Sequence, residues 1–110
     1  MTISNIFSSV PTNFDTEVFQ DLFNHGNLRI ERIISKGHIS PESGWYDQDQ
    51  NEWVIVLQGA GTIQFKDGSE ITLNSGDYLN IPAHQKHKVV WTEPKAVTIW
   101  LAVFYPDNPK

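Results

Sequence analysis

The chain has 110 residues, 39% of them hydrophobic and 12% aromatic, with 8 Lys and Arg against 13 Asp and Glu. Its net charge of −5 argues against a nucleic-acid partner, because nucleic-acid binders need a clustered basic face. The absence of cysteine excludes disulfides, thiolate zinc sites, iron–sulfur clusters and thiol nucleophiles. This composition predicts one small globular domain with a modest core.

The sequence contains no hydrophobic segment long enough to cross a membrane. The longest nearly apolar stretch, 96–105, is too short to cross a bilayer and suits a strand buried on both faces. The first ten residues contain no basic segment followed by an apolar block, so no secretory signal is predicted. We therefore expect a soluble cytoplasmic protein with no membrane partner.

The N-terminal segment, 1–26, is predicted to form an arm and one short helix. Its beginning is polar, and apolar residues then recur at helical spacing, at Phe14, Val18, Phe19, Leu22 and Phe23. Asn13 or Asp15 can serve as the N-cap, and Asn24 with Gly26 ends the pattern. We expect this helix to lie on a larger body.

From residue 27 to residue 105 the pattern changes to short strands. Strands are predicted at 28–34, 52–58, 62–66, 71–73, 78–81, 87–92 and 97–105. Asp67-Gly68 is a hairpin signal, and Gly76 lies in the next turn. Such spacing indicates an all-β sandwich or barrel. We divide the single domain into the arm with its helix at 1–26, a barrel at 27–105 and a tail at 106–110.

A dense polar run, 45–52, directly precedes an apolar strand. Glu52 opens that strand, so its side chain shares a face with Val54. A carboxylate in this position can carry chemistry. The simpler interpretation is a strand-end carboxylate in solvent, since carboxylates are rarely buried without a partner.

Two histidines, His84 and His87, lie three residues apart around a predicted turn and strand start. Imidazole is the usual ligand for zinc, iron, copper and nickel, so the pair can converge on one ion. The alternative is a turn histidine followed by a hydrogen-bonded strand histidine. Strand alternation places Trp91 on the same face as His87, either as an apolar wall of a site or as a core residue.

The order of these features resembles the cupin superfamily, whose two motifs flank a hairpin in a small barrel. Glu52 is followed after six residues by Gly59, and Gly76 is followed after five residues by Pro82, with His87 five residues further on. The resemblance runs from about residue 28 to residue 105. It implies an all-β cupin jelly-roll barrel of two antiparallel sheets, to which the short N-terminal helix would be added.

The family's metal site uses two histidines of the first motif, the Glu and a histidine of the second motif. Glu52 and His87 match the last two of these positions. The other motif positions differ here: Tyr46 and Gln48, or Trp45 and Asp47, replace the two histidines, His84 replaces a glycine, and Trp91 replaces the final Asn. Two of the three usual imidazoles are therefore missing.

His84 can replace one lost imidazole if its side chain turns inward. The resemblance then implies a site for one divalent transition metal, zinc, nickel or iron, held by Glu52, His84, His87 and Gln48, with Asp47 or water as alternatives to Gln48. His84 can equally point to solvent, because the family needs a tight turn at its position. Both arrangements remain open.

Three functions fit this resemblance. The first is a metal-dependent enzyme acting on a small organic molecule, of oxygenase, isomerase or lyase type. The second is a metal-free barrel that binds a sugar or an organic acid without catalysis, and in both cases the predicted pocket residues are Tyr46, Asp47, Trp91 and Val54. The third is an interaction module with a vestigial pocket. A homodimer is expected in each case, because cupins are commonly dimers and two strands are apolar on both faces.

Overall fold

A computed structural model describes residues 1–42 and 44–107, which form eight strands in two antiparallel sheets. The strands are β1 (Val18–His25), β2 (Leu28–Ser35), β3 (Gln50–Gln58), β4 (Ala60–Phe65), β5 (Glu70–Asn74), β6 (Tyr78–Ile81), β7 (His87–Thr92) and β8 (Thr98–Pro106). The larger sheet has the order β1-β2-β8-β3-β6 and the smaller sheet the order β5-β4-β7. The all-β prediction of two antiparallel sheets is confirmed, and β2 to β8 match the predicted strands closely.

The predicted N-terminal helix was wrong, because that segment forms β1 and pairs with β2. Val and Phe pack well in strands when a neighbouring strand offers a hydrogen-bond ladder. Leu22 is an unpaired bulge residue between Asp21 and Phe23, so it breaks the strand alternation. The apolar positions on either side of the bulge therefore imitate helical spacing. Part of the predicted 1–26 segment belongs to the larger sheet.

Arg32 attaches the N-terminal arm to the sheet. Its guanidinium is buried, with the residue 6% exposed, and its Nε donates to Oε1 of Gln20 at 2.7 Å. Its Nη1 donates to the carbonyl oxygens of Ile6 at 2.9 Å and Ser8 at 2.7 Å. A buried guanidinium requires such acceptors, so the arm and Arg32 stabilise each other.

The hydrophobic core lies between the two sheets. The larger sheet contributes Val54, Val56, Ile81, Trp100, Ala102 and Phe104, and the smaller sheet contributes Ile63 and Leu73. Alternation along β3 and β8 brings every second side chain to this interface. Gly61 on β4 faces Trp100 so closely that a Cβ at Gly61 would lie 2.3 Å from the indole ring. The absence of a side chain at Gly61 therefore makes room for the ring of Trp100.

The outer edge of the larger sheet exposes apolar side chains. Phe19, Leu22 and Phe23 on edge strand β1 are each about half exposed. An apolar sheet edge can pair with a second copy, so the homodimer stays a prediction. Among the residues that the structure describes, no helix is long and apolar enough to cross a membrane.

Candidate functional site

A cavity of about 210 Å³ lies between the two sheets. Its walls are largely apolar and aromatic and include Ile33, Val54, Ile63, Val89, Trp100 and Phe104. The polar groups that also line it are Glu17, Arg29 and Glu31 from the N-terminal half and Tyr46, Gln48, Glu52 and His87 further along the chain. The cavity thus brings several ionisable groups into an apolar enclosure.

Glu52 and His87 form the polar centre of the cavity. They are 8% and 4% exposed, and Oε1 of Glu52 lies 3.4 Å from Nε2 of His87. Gln48 donates from Nε2 to the same Glu52 oxygen at 2.9 Å. His87 Nδ1 donates to the carbonyl oxygen of Gln85 at 2.8 Å, so the other ring nitrogen is the one directed at the carboxylate.

Both sheets are needed to build this centre. Glu52 lies near the start of β3 in the larger sheet, and His87 is the first residue of β7 in the smaller sheet. The loop before β3 is fixed to β7 by two backbone hydrogen bonds between Tyr46 and His87, at 2.8 and 3.2 Å. The rings of these two residues lie 5.7 Å apart. The preceding loop is therefore held against the cavity.

The cavity shifts the acid–base properties of its lining groups. Burial opposes charge on His87, but hydrogen bonds with Glu52 and the Gln85 carbonyl outweigh it, so the pKa of His87 is raised. Burial raises the pKa of Tyr46, and nearby carboxylates add to this effect, so Tyr46 keeps its hydroxyl proton at neutral pH. Burial also raises the pKa of Glu31, although the charge of Arg29 partly opposes the increase.

His84 does not join the other predicted metal ligands, which corrects the inward arrangement. It occupies a left-handed backbone position, with φ of 65°, at the place of the family's glycine. Its side chain is 62% exposed, and Nδ1 lies 2.8 Å from Oδ1 of Asp47. The hydrogen bond to Asp47 raises the pKa of His84. His84 and Asp47 pair with each other instead of lining the cavity.

Trp91 also lies outside the cavity, contrary to the prediction. Trp91 pairs with Thr62 and Val89 pairs with Ile63, so Val90 is an extra residue on β7. Because of this bulge, the side chains after Val89 face the side of the sheet opposite to the one that regular strand alternation would give them. His87 and Val89 consequently line the cavity, whereas Trp91 is 40% exposed.

The remaining donors do not fit a resident transition metal. Within the described residues, no group of three or more His, Cys, Asp or Glu side chains is placed to hold a metal ion. Glu52, His87 and Gln48 provide a single imidazole, and the amide already donates a hydrogen bond to the carboxylate. Zinc, nickel and iron sites in proteins depend on more nitrogen or carboxylate ligands than this set supplies.

Sequence reasoning missed the polar residues that β1 and β2 bring to the cavity. Arg29 and Glu31 alternate with Ile33 on one face of β2, and all three line the cavity, as does Glu17 just before β1. Two ionisable residues on the same strand face as Ile33 are unusual for a core face. This alternation in the sequence could have indicated that one face of β2 lines a polar site.

A family model described as a cupin domain matches residues 32–104, about two thirds of the chain. The chain belongs to the cupin family. The resemblance found in the spacing of Glu52, Gly59, Gly76 and His87 is thereby confirmed. A comparison with curated proteins found no significant match.

Solved structures of similar proteins support this assignment. A protein from Ralstonia eutropha JMP134, provisionally named a mannose-6-phosphate isomerase, is 40% identical, with a TM-score of 0.91 over 96% of this chain and 99% of that chain. An RmlC-like cupin from Desulfovibrio desulfuricans is 17% identical, with a TM-score of 0.75 over 96% and 98% of the two chains. A cupin superfamily protein from Desulfitobacterium hafniense DCB-2 is 19% identical, with a TM-score of 0.73 over 89% and 84%. The last two share the fold alone.

Proposed function

We propose that this cupin binds a small hydroxylated organic molecule, a sugar or a related organic acid, inside the barrel. The observation that carries the proposal is the hydrogen-bonded group formed by buried Glu52, buried His87 and half-buried Gln48 in a largely apolar cavity. A few convergent polar groups in an apolar enclosure are typical of small-molecule sites. The cavity of about 210 Å³ is smaller than the roughly 300–1,000 Å³ that drug-sized ligands occupy, so the ligand is small.

The lining offers both kinds of hydrogen-bonding group that a polyhydroxylated ligand needs. Glu52 accepts hydrogen bonds from ligand hydroxyls, while the Gln48 amide has a second N–H to donate besides the one that bonds Glu52. The aromatic faces of Trp100 and Phe104 provide apolar contact for the carbon skeleton of the ligand. Because the donors do not fit a resident transition metal, we propose that binding relies on side chains alone.

Calorimetric titration tests this proposal with D-mannose, D-glucose and D-gluconate as probes. Protein treated with a chelator should bind at least one probe as tightly as untreated protein. Glu52→Gln should weaken that binding about tenfold or more, because a ligand hydroxyl loses a charged acceptor. Glu70→Gln is the matched control, since Glu70 is exposed on β5, away from the cavity, and should leave the affinity unchanged.

Two results would contradict the proposal. Binding that disappears on chelation and returns with zinc, nickel or iron would show that a metal is required. Failure of every probe to bind would contradict the proposed ligand class.

We propose aldose–ketose isomerisation as a second candidate function. It is favoured by the 40% identity to the protein from Ralstonia eutropha JMP134 that is provisionally named a mannose-6-phosphate isomerase. The reaction removes a proton from the carbon beside a carbonyl, returns a proton to the former carbonyl carbon, and moves a hydroxyl proton between the two oxygens. It needs a base and an acid but no oxidant. Glu52 can accept the carbon-bound proton on its carboxylate, and the protonated Nε2 of His87 beside it can donate to the carbonyl oxygen.

Proton exchange with solvent separates isomerisation from simple binding. With D-mannose 6-phosphate in D₂O, an isomerase would incorporate deuterium beside the carbonyl and produce the ketose, which NMR detects directly. His87→Gln should abolish the incorporation, whereas His25→Gln, at an exposed histidine of β1, should retain it. Binding without deuterium incorporation by the unmodified protein would leave the ligand-binding function and exclude this candidate.

A further inference from the structure

Arg29 carries a buried hydrogen-bond donor that the protein does not use. Its Nε is the one buried side-chain nitrogen or oxygen without a hydrogen-bond partner in residues 1–42 and 44–107. Buried polar atoms in folded proteins are nearly always paired, so an orphaned donor on a residue that lines the cavity needs an explanation. A ligand oxygen supplies the missing partner when the guanidinium turns its edge toward the cavity.

The carboxylates of the cavity do not supply that acceptor. In the part of the chain that the structure describes, ion pairs within 4.0 Å involve the histidines His84 and His87, and none involves Arg29. Glu31 is influenced by the charge of Arg29 but forms no ion pair with it. The guanidinium is instead stacked on Phe104, with its central carbon 4.2 Å from the ring centre. This stacking orients the planar group without consuming its N–H donors.

Arg29 lies between the cavity and the protein surface. It lines the cavity and also a shallow outer groove, together with Gln48. A ligand group bound to Arg29 would therefore occupy the cavity mouth, whereas Glu52 and His87 are almost fully buried. Glu17, Glu31 and Glu52 line the cavity, and Asp49 and Asp107 line the outer groove. Arg29 is the arginine that lines both, so an anionic group is best placed directly beside its guanidinium.

We infer that the ligand is an organic anion whose carboxylate or phosphate accepts hydrogen bonds from Arg29 at the cavity mouth. Its hydroxylated end lies against Glu52 and His87, so the inference rests on the proposed function and narrows its ligand class. Arginine suits this role, because its planar fork matches the oxygens of a carboxylate or a phosphate.

Two matched pairs of probes test the inference by calorimetric titration at one fixed salt concentration. D-mannose 6-phosphate against D-mannose measures the contribution of a phosphate, and D-glucuronate against D-glucose measures that of a carboxylate. The charged member of one pair should bind about tenfold or more tightly than its neutral partner, and the pair that shows this identifies the anion.

Arg29→Met should remove this advantage while changing the affinity for the neutral sugar less than about twofold, since hydrogen bonds to charged groups carry the difference. Arg29→Lys keeps the charge but lacks Nε and the planar fork, so it should lose part of the advantage even if Arg29→Met folds poorly. Lys95→Met, at an exposed turn lysine, is the control for losing one positive charge.

The outcomes separate the two proposals. Equal affinity within both pairs would overturn the inference about Arg29 and leave the proposed function intact. An advantage for the anion that persists in both Arg29 variants would also overturn it, because the anion would then be held elsewhere. Failure of all four probes to bind the unmodified protein would overturn the proposed function and this inference together.

Discussion

Replacing Gly61 by alanine should destabilise the barrel, because a side chain at this position has no room. A Cβ at Gly61 would lie 2.3 Å from Cζ2 and 2.4 Å from Cη2 of Trp100. Carbon atoms in favourable contact lie about 3.5–4.0 Å apart, so the indole would have to move by about an ångström or more. Trp100 is only 3% exposed and packs in the core, so its ring cannot move freely.

The expected cost follows from three terms. Overpacking a core costs about 1–3 kcal/mol, and a displaced indole also loses the hydrogen bond from Nε1 to Oγ of Ser35, worth about 0.5–1.5 kcal/mol. That hydrogen bond is 3.3 Å long. Gly61 does not need a positive φ, so alanine regains about 0.4–1 kcal/mol by restricting the unfolded chain. We expect a net loss of about 0.5–4 kcal/mol in the free energy of unfolding.

Urea unfolding followed by circular dichroism measures this loss, and Trp100→Phe provides the decisive comparison. Phenylalanine lacks the outer indole atoms that Cβ would meet, so Gly61→Ala should cost less than about 0.5 kcal/mol in the Trp100→Phe background. The double-mutant cycle isolates the contact from the general effect of alanine. An equal cost in both backgrounds, or no cost in the unmodified protein, would refute the reasoning.

Two further predictions concern buried charged groups. Burial raises the pKa of Glu17 above its ordinary value of 4.5, despite a hydrogen bond from Ser35. Its contribution to stability is therefore present at low pH and lost as pH rises through the folded-state pKa. Glu17→Gln should raise the melting temperature near pH 8 and have little effect near pH 4, and a pH-independent difference would contradict this. Arg32→Met should cost about 1.5–3 kcal/mol and speed amide hydrogen exchange in residues 1–10, since the arm loses its charged donors. Unchanged exchange in the arm would show that other contacts hold it.

Much of the fold could be predicted because its signals are local. Period-two alternation marks β2 to β8, and Asp67-Gly68 and Gly76 mark two turns that need glycine, with φ of 94° and 92° at the glycines. The spacing of Glu52 and His87 relative to these turns predicted the cupin barrel. It also predicted two residues that the structure brings together in one cavity.

The tertiary structure decided which residues line the site. The bulges at Leu22 and Val90 depend on pairing with a neighbouring strand, and each changes which side chains face the core. For this reason a helix was predicted where β1 forms, and Trp91 was placed in a cavity that it does not line. Strand register is set by contacts between residues far apart in the chain, and a shift of one residue moves a side chain to the opposite face. The sequence by itself thus determined the strands and their turns, whereas the pairing of the strands decided that Arg29 and Glu31 face the cavity and Trp91 does not.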